Sequence, residues 1–105
     1  MCYIKNIKKM YYNKKGELIE LMEWAKLRED ENYKIVKQET LPNGKWVSTV
    51  WLGLDHSFSE RKPLIFETMV FSSEKGNSSE KMERYSTLEE AEKGHQEMVE
   101  KFNRV

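Results

Sequence analysis

The sequence predicts an α+β fold in which two helices pack on one face of an antiparallel sheet of three to five strands. Three observations predict it: an apolar stripe with helical spacing near the N-terminus, two strongly β-forming segments in the middle, and a capped helical stripe at the C-terminus. The resulting element order is β-α-β-β-β-(β)-α. The length of 105 residues suits a single domain spanning 1–105, and we expect residues 1–10 to form a flexible basic arm.

The N-terminal part predicts a strand, a turn and a helix in that order. Tyr11 and Tyr12 lead into residues 13–16, whose Asn, Lys and Gly composition is typical of a turn. A helix is predicted over Glu17–Arg28, because its apolar residues recur at the spacing of one helical face. These residues are Leu18, Leu21, Met22 and Ala25.

The middle of the chain predicts most of the sheet. Residues 33–41 have β-branched and alternating content, and the Pro-Asn-Gly sequence at 42–44 is a strong hairpin signal. Residues 45–54 form the best strand of the chain, and residues 63–71 form a second strong one. The polar segment 55–62 connects these two strands as a long hairpin loop.

The faces of this hairpin depend on its register. A loop that closes symmetrically pairs Leu54 with Leu64, so that even-numbered residues such as Val50 form the core face. The odd-numbered residues, with Trp51 beside Glu67, then form an amphipathic face that is either covered by another element or binds a partner. A slip of one residue would exchange the two faces.

The C-terminal part predicts a polar connection, a short strand and a long helix. Residues 72–81 form the connection, and residues 82–85 add the short strand. Ser86 and Glu89 have the spacing of a capping box, which starts a helix over Thr87–Phe102. The apolar stripe of this helix consists of Leu88, Ala91, His95, Met98, Val99 and Phe102.

Charge and cysteine content limit the location and the class of partner. The formal net charge is zero, which argues against strong non-specific binding to nucleic acid. Five lysines among the first fifteen residues predict a solvated arm or a contact arm for a phosphate or an acidic partner. One cysteine, Cys2, cannot form an internal disulfide, and no apolar run has the length of a membrane span or a signal peptide. We therefore expect a cytoplasmic protein without a membrane partner.

The residue pattern contains no recognisable catalytic motif, so we expect neither an enzyme nor a cofactor. His95 lies on the apolar stripe of the last helix, which favours a buried, hydrogen-bonded histidine. The alternative pairs it with His56 as a ligand or as an acid–base pair. Two histidines need Asp55 or Glu67 to complete a metal site, and the sequence lacks the spacing of known zinc motifs. A small metal-dependent hydrolase that uses His56, His95 and Glu67 is the enzymatic alternative.

Aromatic and polar residues near the hairpin loop are the best candidates for ligand or partner binding. Aromatic rings beside Arg and His can stack on a base and hold a phosphate, and the same residue types are common in protein–protein hot spots. The alternative is that Trp51 and Phe58 cap the sheet edge. The candidate binding residues are Trp51, Asp55, His56, Phe58, Glu67, Arg84, Tyr85 and His95.

Several long motifs resemble a family of small, largely uncharacterised proteins encoded by phages, prophages and other mobile elements. The similarity covers about nine-tenths of the chain. Its motifs are VSTVWLGLDH at 47–56, PLIFETMVF at 63–71, ERYST at 83–87, Glu90-Ala91 and Gly94-His95. The chain departs from the family pattern at 59–62, where Ser-Glu-Arg-Lys replaces a glycine-rich segment.

The resemblance implies an accessory protein that counteracts a host antiviral defence system by stoichiometric binding in the host cytoplasm. One form is an anti-CRISPR inhibitor that docks on a Cas effector. The other is a sponge that sequesters a cyclic nucleotide signal, which would need a homo-oligomer to enclose enough volume. A structural or regulatory partner of phage proteins is a further alternative.

Overall fold

A computed structural model of the protein describes residues 10–54, 62–73 and 79–103. It confirms the α+β class, with a four-stranded antiparallel sheet in the order β3-β4-β5-β6 and a small two-stranded sheet of β1 and β2. Within these ranges no helix is both long enough and apolar enough to cross a membrane. The elements are β1 (Tyr11–Tyr12), β2 (Leu18–Ile19), α1 (Leu21–Glu29), α2 (Glu31–Lys34), β3 (Ile35–Thr40), β4 (Trp46–Trp51), β5 (Phe66–Phe71), β6 (Ser79–Tyr85) and α3 (Leu88–Phe102).

The first helix starts later than Glu17, the predicted first residue, because a tight turn precedes it. The Asn13 side chain accepts hydrogen bonds from the backbone N–H groups of Lys15 and Glu17, and this turn pairs β1 with β2. Leu18 therefore lies in a strand and is exposed.

Helix α1 contacts the end of β4 rather than burying a continuous apolar stripe. The Trp24 indole N–H donates to the carbonyl of Leu52 at 2.9 Å, and the Arg28 guanidinium donates to the carbonyl of Trp51 at 3.1 Å. No residue of α1 is fully buried, and Met22 is 70% exposed. The predicted apolar face of this helix is therefore largely in solvent.

A short helix occupies the first part of the segment predicted as a strand over 33–41. The Asp30 side chain accepts from the N–H groups of Asn32 and Tyr33 and so caps α2. The strand β3 starts only at Ile35.

The register of β4 against β5 differs by one residue from the predicted pairing of Leu54 with Leu64. The structure pairs Trp51 with Phe66 and Trp46 with Phe71. Odd-numbered residues of β4 and even-numbered residues of β5 consequently share the buried face, so the predicted core face is right for β5 and wrong for β4. The six residues of this buried face are Val47, Thr49, Trp51, Phe66, Thr68 and Val70.

Helix α3 packs across this buried face. It begins with a capping box formed by Thr87 and Glu90, one residue later than the predicted pair Ser86 and Glu89. Two apolar clusters fill the core, the first being Leu41, Val47, Val70 and Met98, and the second Trp51, Ile65, Phe66 and Ala91. The buried polar side chains Thr49, Thr68 and His95 belong to neither cluster.

Gly53 allows the end of β4 to meet the N-terminal elements. Its φ of 72° lies in the left-handed region, and a β-carbon there would approach the Trp24 ring to 2.7 Å. The carbonyl of Gly53 accepts a hydrogen bond from the N–H of Tyr12 at 2.9 Å. Glycine at this position therefore joins the small sheet to the large one.

Candidate functional site

Trp51 lies in the core and not on an exposed binding surface. Its side chain is 0% exposed, and its ring contacts Tyr33 edge-to-face with centroids 5.0 Å apart. The indole N–H donates to the carbonyl of Tyr12 at 3.0 Å, so its polar atom is satisfied internally. Trp51 is unavailable for stacking on a ligand, and the expectation that it binds one is wrong.

His95 is a buried, hydrogen-bonded histidine, which confirms the structural interpretation of its place on the helix. It is 1% exposed, and both of its ring nitrogens have partners. Nδ1 lies 2.6 Å from the hydroxyl of Thr49, which in turn lies 2.5 Å from the hydroxyl of Thr68. Nε2 lies 2.6 Å from a carboxylate oxygen of Glu39 on β3.

This chain of side chains has the order of a hydroxyl nucleophile, a base and an orienting acid. The Thr49 hydroxyl, however, belongs to a residue with no exposed surface and is held between His95 and Thr68. The Thr49 hydroxyl is therefore not accessible to a substrate in this conformation. The hydrogen bond from His95 lowers the pKa of Glu39, so this carboxylate stays ionised and fixes the ring. The arrangement therefore stabilises the fold and does not resemble an accessible catalytic site.

Glu67 and His95 lie on opposite faces of the sheet and cannot share one metal ion. His95 contacts the face that includes Thr68, and Glu67 precedes Thr68 in β5, so its side chain points the other way. Among the residues that the structure describes, no group of three His, Cys, Asp or Glu side chains could hold a metal. The geometry thus offers no support for a hydrolase centre built on both residues.

Arg84 and Tyr85 also point to different faces. Arg84 is paired in register with Glu67, and its Nε donates to the Glu67 carboxylate at 3.0 Å. Tyr85 packs against α3, where a β-carbon at Gly94 would overlap its ring. Burial raises the pKa of the Tyr85 hydroxyl, so it remains neutral at physiological pH.

Three predicted binding residues, Asp55, His56 and Phe58, lie outside the described residues, as does the neighbouring Arg61. Of the predicted set, the structure brings together only Glu67 and Arg84, on the face opposite α3, where Glu67 is buried and Arg84 is half-buried. It brings His95 together with Thr49 and Glu39, which were not predicted to be its partners.

The face of the large sheet opposite α3 is the best candidate for a functional surface, because Trp46, Phe71 and Met82 on it are partly exposed. We call it the open face. The Trp46 and Phe71 rings contact each other across β4 and β5 with centroids 5.5 Å apart. The open face consists of Gln38, Trp46, Ser48, Val50, Glu67, Met69, Phe71, Met82 and Arg84.

The polar groups of the open face are already paired within it. The Gln38 amide donates to the Ser48 hydroxyl at 2.9 Å, and the Glu67 carboxylate pairs with Arg84. The rings and methionine side chains between these pairs are partly exposed, and Met82 is 44% exposed. Ser48 and Glu67 are themselves buried, so the accessible part of the open face is mainly apolar.

Sequence reasoning missed Trp46 and placed Phe71 in the wrong pair. A usable signal was present, since Trp46 and Trp51 are five residues apart, as are Phe66 and Phe71. An odd separation within a strand places two side chains on opposite faces. One aromatic of each strand therefore had to face away from the core.

A depression of about 350 Å³ lies between the start of α3 and the end of β6, at the lower limit for a small-molecule site. Tyr85 and Lys93 contribute to its lining, and so do the carboxylates of Glu90 and Glu97. A smaller depression of about 190 Å³ lies beside His95 and Glu92. Both signs of charge line each depression, with Arg84 among the residues of the larger one and Lys37 among those of the smaller one, so neither is a strongly positive site for a nucleotide phosphate.

Comparisons with protein-family models, with curated proteins and with solved structures each return no significant match to this chain.

Proposed function

We propose that this protein is a stoichiometric inhibitor that docks through its open face on a protein of a host antiviral defence system, with a Cas effector as the first candidate target. The supporting observation is the sheet face opposite α3, which has the partly exposed Trp46–Phe71 pair at one end and the Glu67–Arg84 ion pair at the other. The phage and mobile-element resemblance supplies the biological setting. The mechanism needs no catalytic group.

The composition of the open face suits a protein partner. Trp, Phe, Met and Arg are enriched at the centres of protein–protein interfaces, where large side chains exclude water around a few polar contacts. The polar groups of the open face have partners already, so docking leaves few of them unsatisfied. A formal net charge of zero favours a mixed protein surface over a nucleic acid.

A nucleotide sponge has less support. The proposed stacking residue Trp51 is buried, and Tyr85 is half-buried beside carboxylates. Arg84, the candidate phosphate ligand, is already bound to Glu67. A protein partner therefore agrees better with the described residues than a cyclic nucleotide does.

The test is cleavage of guide-matched DNA by purified Cas effectors with increasing amounts of this protein. We expect one effector to be inhibited at a ratio of about one to one, and Met69→Glu in the open face to weaken inhibition at least about tenfold. Trp46→Ala should also weaken it. The matched control is Met22→Glu on α1, which introduces the same change at an exposed position outside the open face. Thermal unfolding of each variant verifies that it remains folded.

Three results would contradict the proposal. Inhibition that survives both open-face variants places the contact elsewhere. Failure to inhibit any effector of the panel rejects the Cas target. A rise in melting temperature with cyclic dinucleotides or trinucleotides alone favours the sponge, because a ligand that binds only the native state stabilises it.

A further inference from the structure

Strand β6 forms one edge of the large sheet, and no strand of the described ranges pairs with its outer side. Residues 79–83 of this strand are exposed. Its irregularity against β5 lies between its pairings with Val70 and Phe71, so residues 81–85 pair without interruption. Such an edge presents free backbone N–H and C=O groups to another strand.

The charges of β6 have an order that suits pairing with a second copy of itself. Around Met82 the strand reads Glu80, Lys81, Met82, Glu83 and Arg84. Antiparallel pairing centred on Met82 places Lys81 opposite Glu83 of the other copy, and the two-fold axis repeats this pair. Both charged residues next to Met82 then face the opposite charge, which favours cross-strand pairing.

Neighbouring registers with two-fold symmetry lack this complementarity. A two-fold axis at Lys81 places Lys81 opposite Lys81 of the other copy. A two-fold axis at Glu83 places Glu83 opposite Glu83. Like charges directly opposite each other destabilise a strand pair. Charges on an edge strand usually prevent association, but this order penalises other registers and favours one.

We propose that two copies of this chain form a homodimer through antiparallel pairing of their β6 strands about a two-fold axis at Met82. The two sheets then join into one sheet of eight strands with both open faces on the same side. Met82, which is 44% exposed in one copy, contacts its counterpart on the axis. This inference does not depend on the proposed function, because it rests on the exposed edge of β6 and on the order of its charges; Met82 and Arg84 belong to both β6 and the open face.

Charge reversal provides a direct test by sedimentation velocity at several protein concentrations. We expect Lys81→Glu to weaken dimerisation about tenfold or more, because it creates two like-charge pairs per dimer. Adding Glu83→Lys to that variant reverses both charges of the pair, so that opposite charges face each other again, and it should restore dimerisation. Lys26→Glu on the exposed face of α1 is the control, since it changes the net charge equally.

Cross-linking locates the axis in the same molecule. With Cys2→Ser in the background, Met82→Cys should form an intermolecular disulfide readily under mild oxidation, because the two thiols lie directly opposite each other. Met22→Cys is the matched control at an exposed methionine. A monomer at every concentration, a dimer that Lys81→Glu leaves unchanged, or equal cross-linking of both cysteine variants would overturn the proposal.

Discussion

The imidazole of His95 connects α3 to two strands, because one ring nitrogen contacts Thr49 on β4 and the other contacts Glu39 on β3. In the neutral ring, Nε2 donates to the carboxylate and Nδ1 accepts from the threonine hydroxyl. The Thr49 hydroxyl can then accept from Thr68. Each buried polar group is satisfied, and among the described residues no buried side-chain nitrogen or oxygen lacks a partner.

Replacing His95 with alanine should destabilise the fold by about 3 kcal/mol. The change leaves a cavity under α3 and removes the partner of the buried Thr49 hydroxyl. Urea unfolding measures the loss, with Gln96→Ala at the exposed neighbouring position as the control. A free energy of unfolding within about 0.5 kcal/mol of the unmodified protein would show that this network contributes little.

Glu39 should make stability depend on acidic pH. The hydrogen bond from His95 lowers the pKa of this carboxyl below its usual 4.5, and Lys37 acts in the same direction. A carboxyl with a lowered folded pKa stabilises the native state above its unfolded pKa, and the effect is lost as pH falls through the folded value. The charged and titratable groups facing it are His95 and Lys37.

Urea unfolding at several pH values from about pH 6 to about pH 3 tests this dependence. The unmodified protein should lose more free energy of unfolding on acidification than Glu39→Gln does. Equal losses in the two proteins would show that Glu39 has the same pKa in the folded and unfolded chains.

The burial of His95 followed from its position on the apolar stripe of a predicted helix, and the structure confirms it. Its partners could not be predicted in the same way. Glu39 and Thr49 reach it only in a particular strand register, and the sequence did not determine that register. Local patterns therefore predicted burial, whereas long-range pairing decided the contacts.

The start of α3 shows how a cap can shift by one residue. Ser86 and Thr87 are both suitable caps, and Glu89 and Glu90 both lie three residues beyond one of them. In the structure the Glu90 backbone N–H donates to the Thr87 hydroxyl at 3.1 Å, and the Glu90 carboxylate accepts from the N–H groups of Ser86 and Thr87. Leu88 then turns toward the core as the first residue of the helix.

Thr87→Ala should lower the free energy of unfolding by about 1 kcal/mol, because one N–H of the first helical turn loses its acceptor. Ser86→Ala is the matched control and should cost much less, since no hydrogen bond of the Ser86 side chain forms part of the cap. Both values come from urea unfolding. A larger loss for Ser86→Ala would show that the helix starts one residue earlier in solution.

The strands show, at the scale of elements, that local sequence patterns did not predict long-range pairing. Their positions followed from β-branched and aromatic content, but the register did not follow from the loop. Pairing Trp51 with Phe66 also pairs Trp46 with Phe71, so one register places large side chains opposite each other on both faces. Those cross-strand aromatic pairs favour the observed register over the symmetric closure of the loop.

At the scale of the molecule, the α+β class and the antiparallel sheet were predictable because alternating and helical apolar patterns are local. The position of α1 was not, since its contacts are made by the side chains of Trp24 and Arg28 with backbone carbonyls of β4. The spacing of apolar residues does not predict hydrogen bonds of this kind. The candidate binding surface moved for a related reason, because the observed register places the odd-numbered residues of β4, Trp51 among them, on the core face.

The distribution of the three tryptophans also gives the protein a spectroscopic property. Trp51 is buried in the core, and Trp24 donates a hydrogen bond to the carbonyl of Leu52. Of the three tryptophans, only Trp46 belongs to the open face. A soluble quencher should therefore reach the emission of Trp46 far more readily than that of Trp51. A decrease in the quenching of Trp46 fluorescence would report that a partner occupies the open face, without any label. A Trp46→Phe variant would give the background signal of the other two tryptophans.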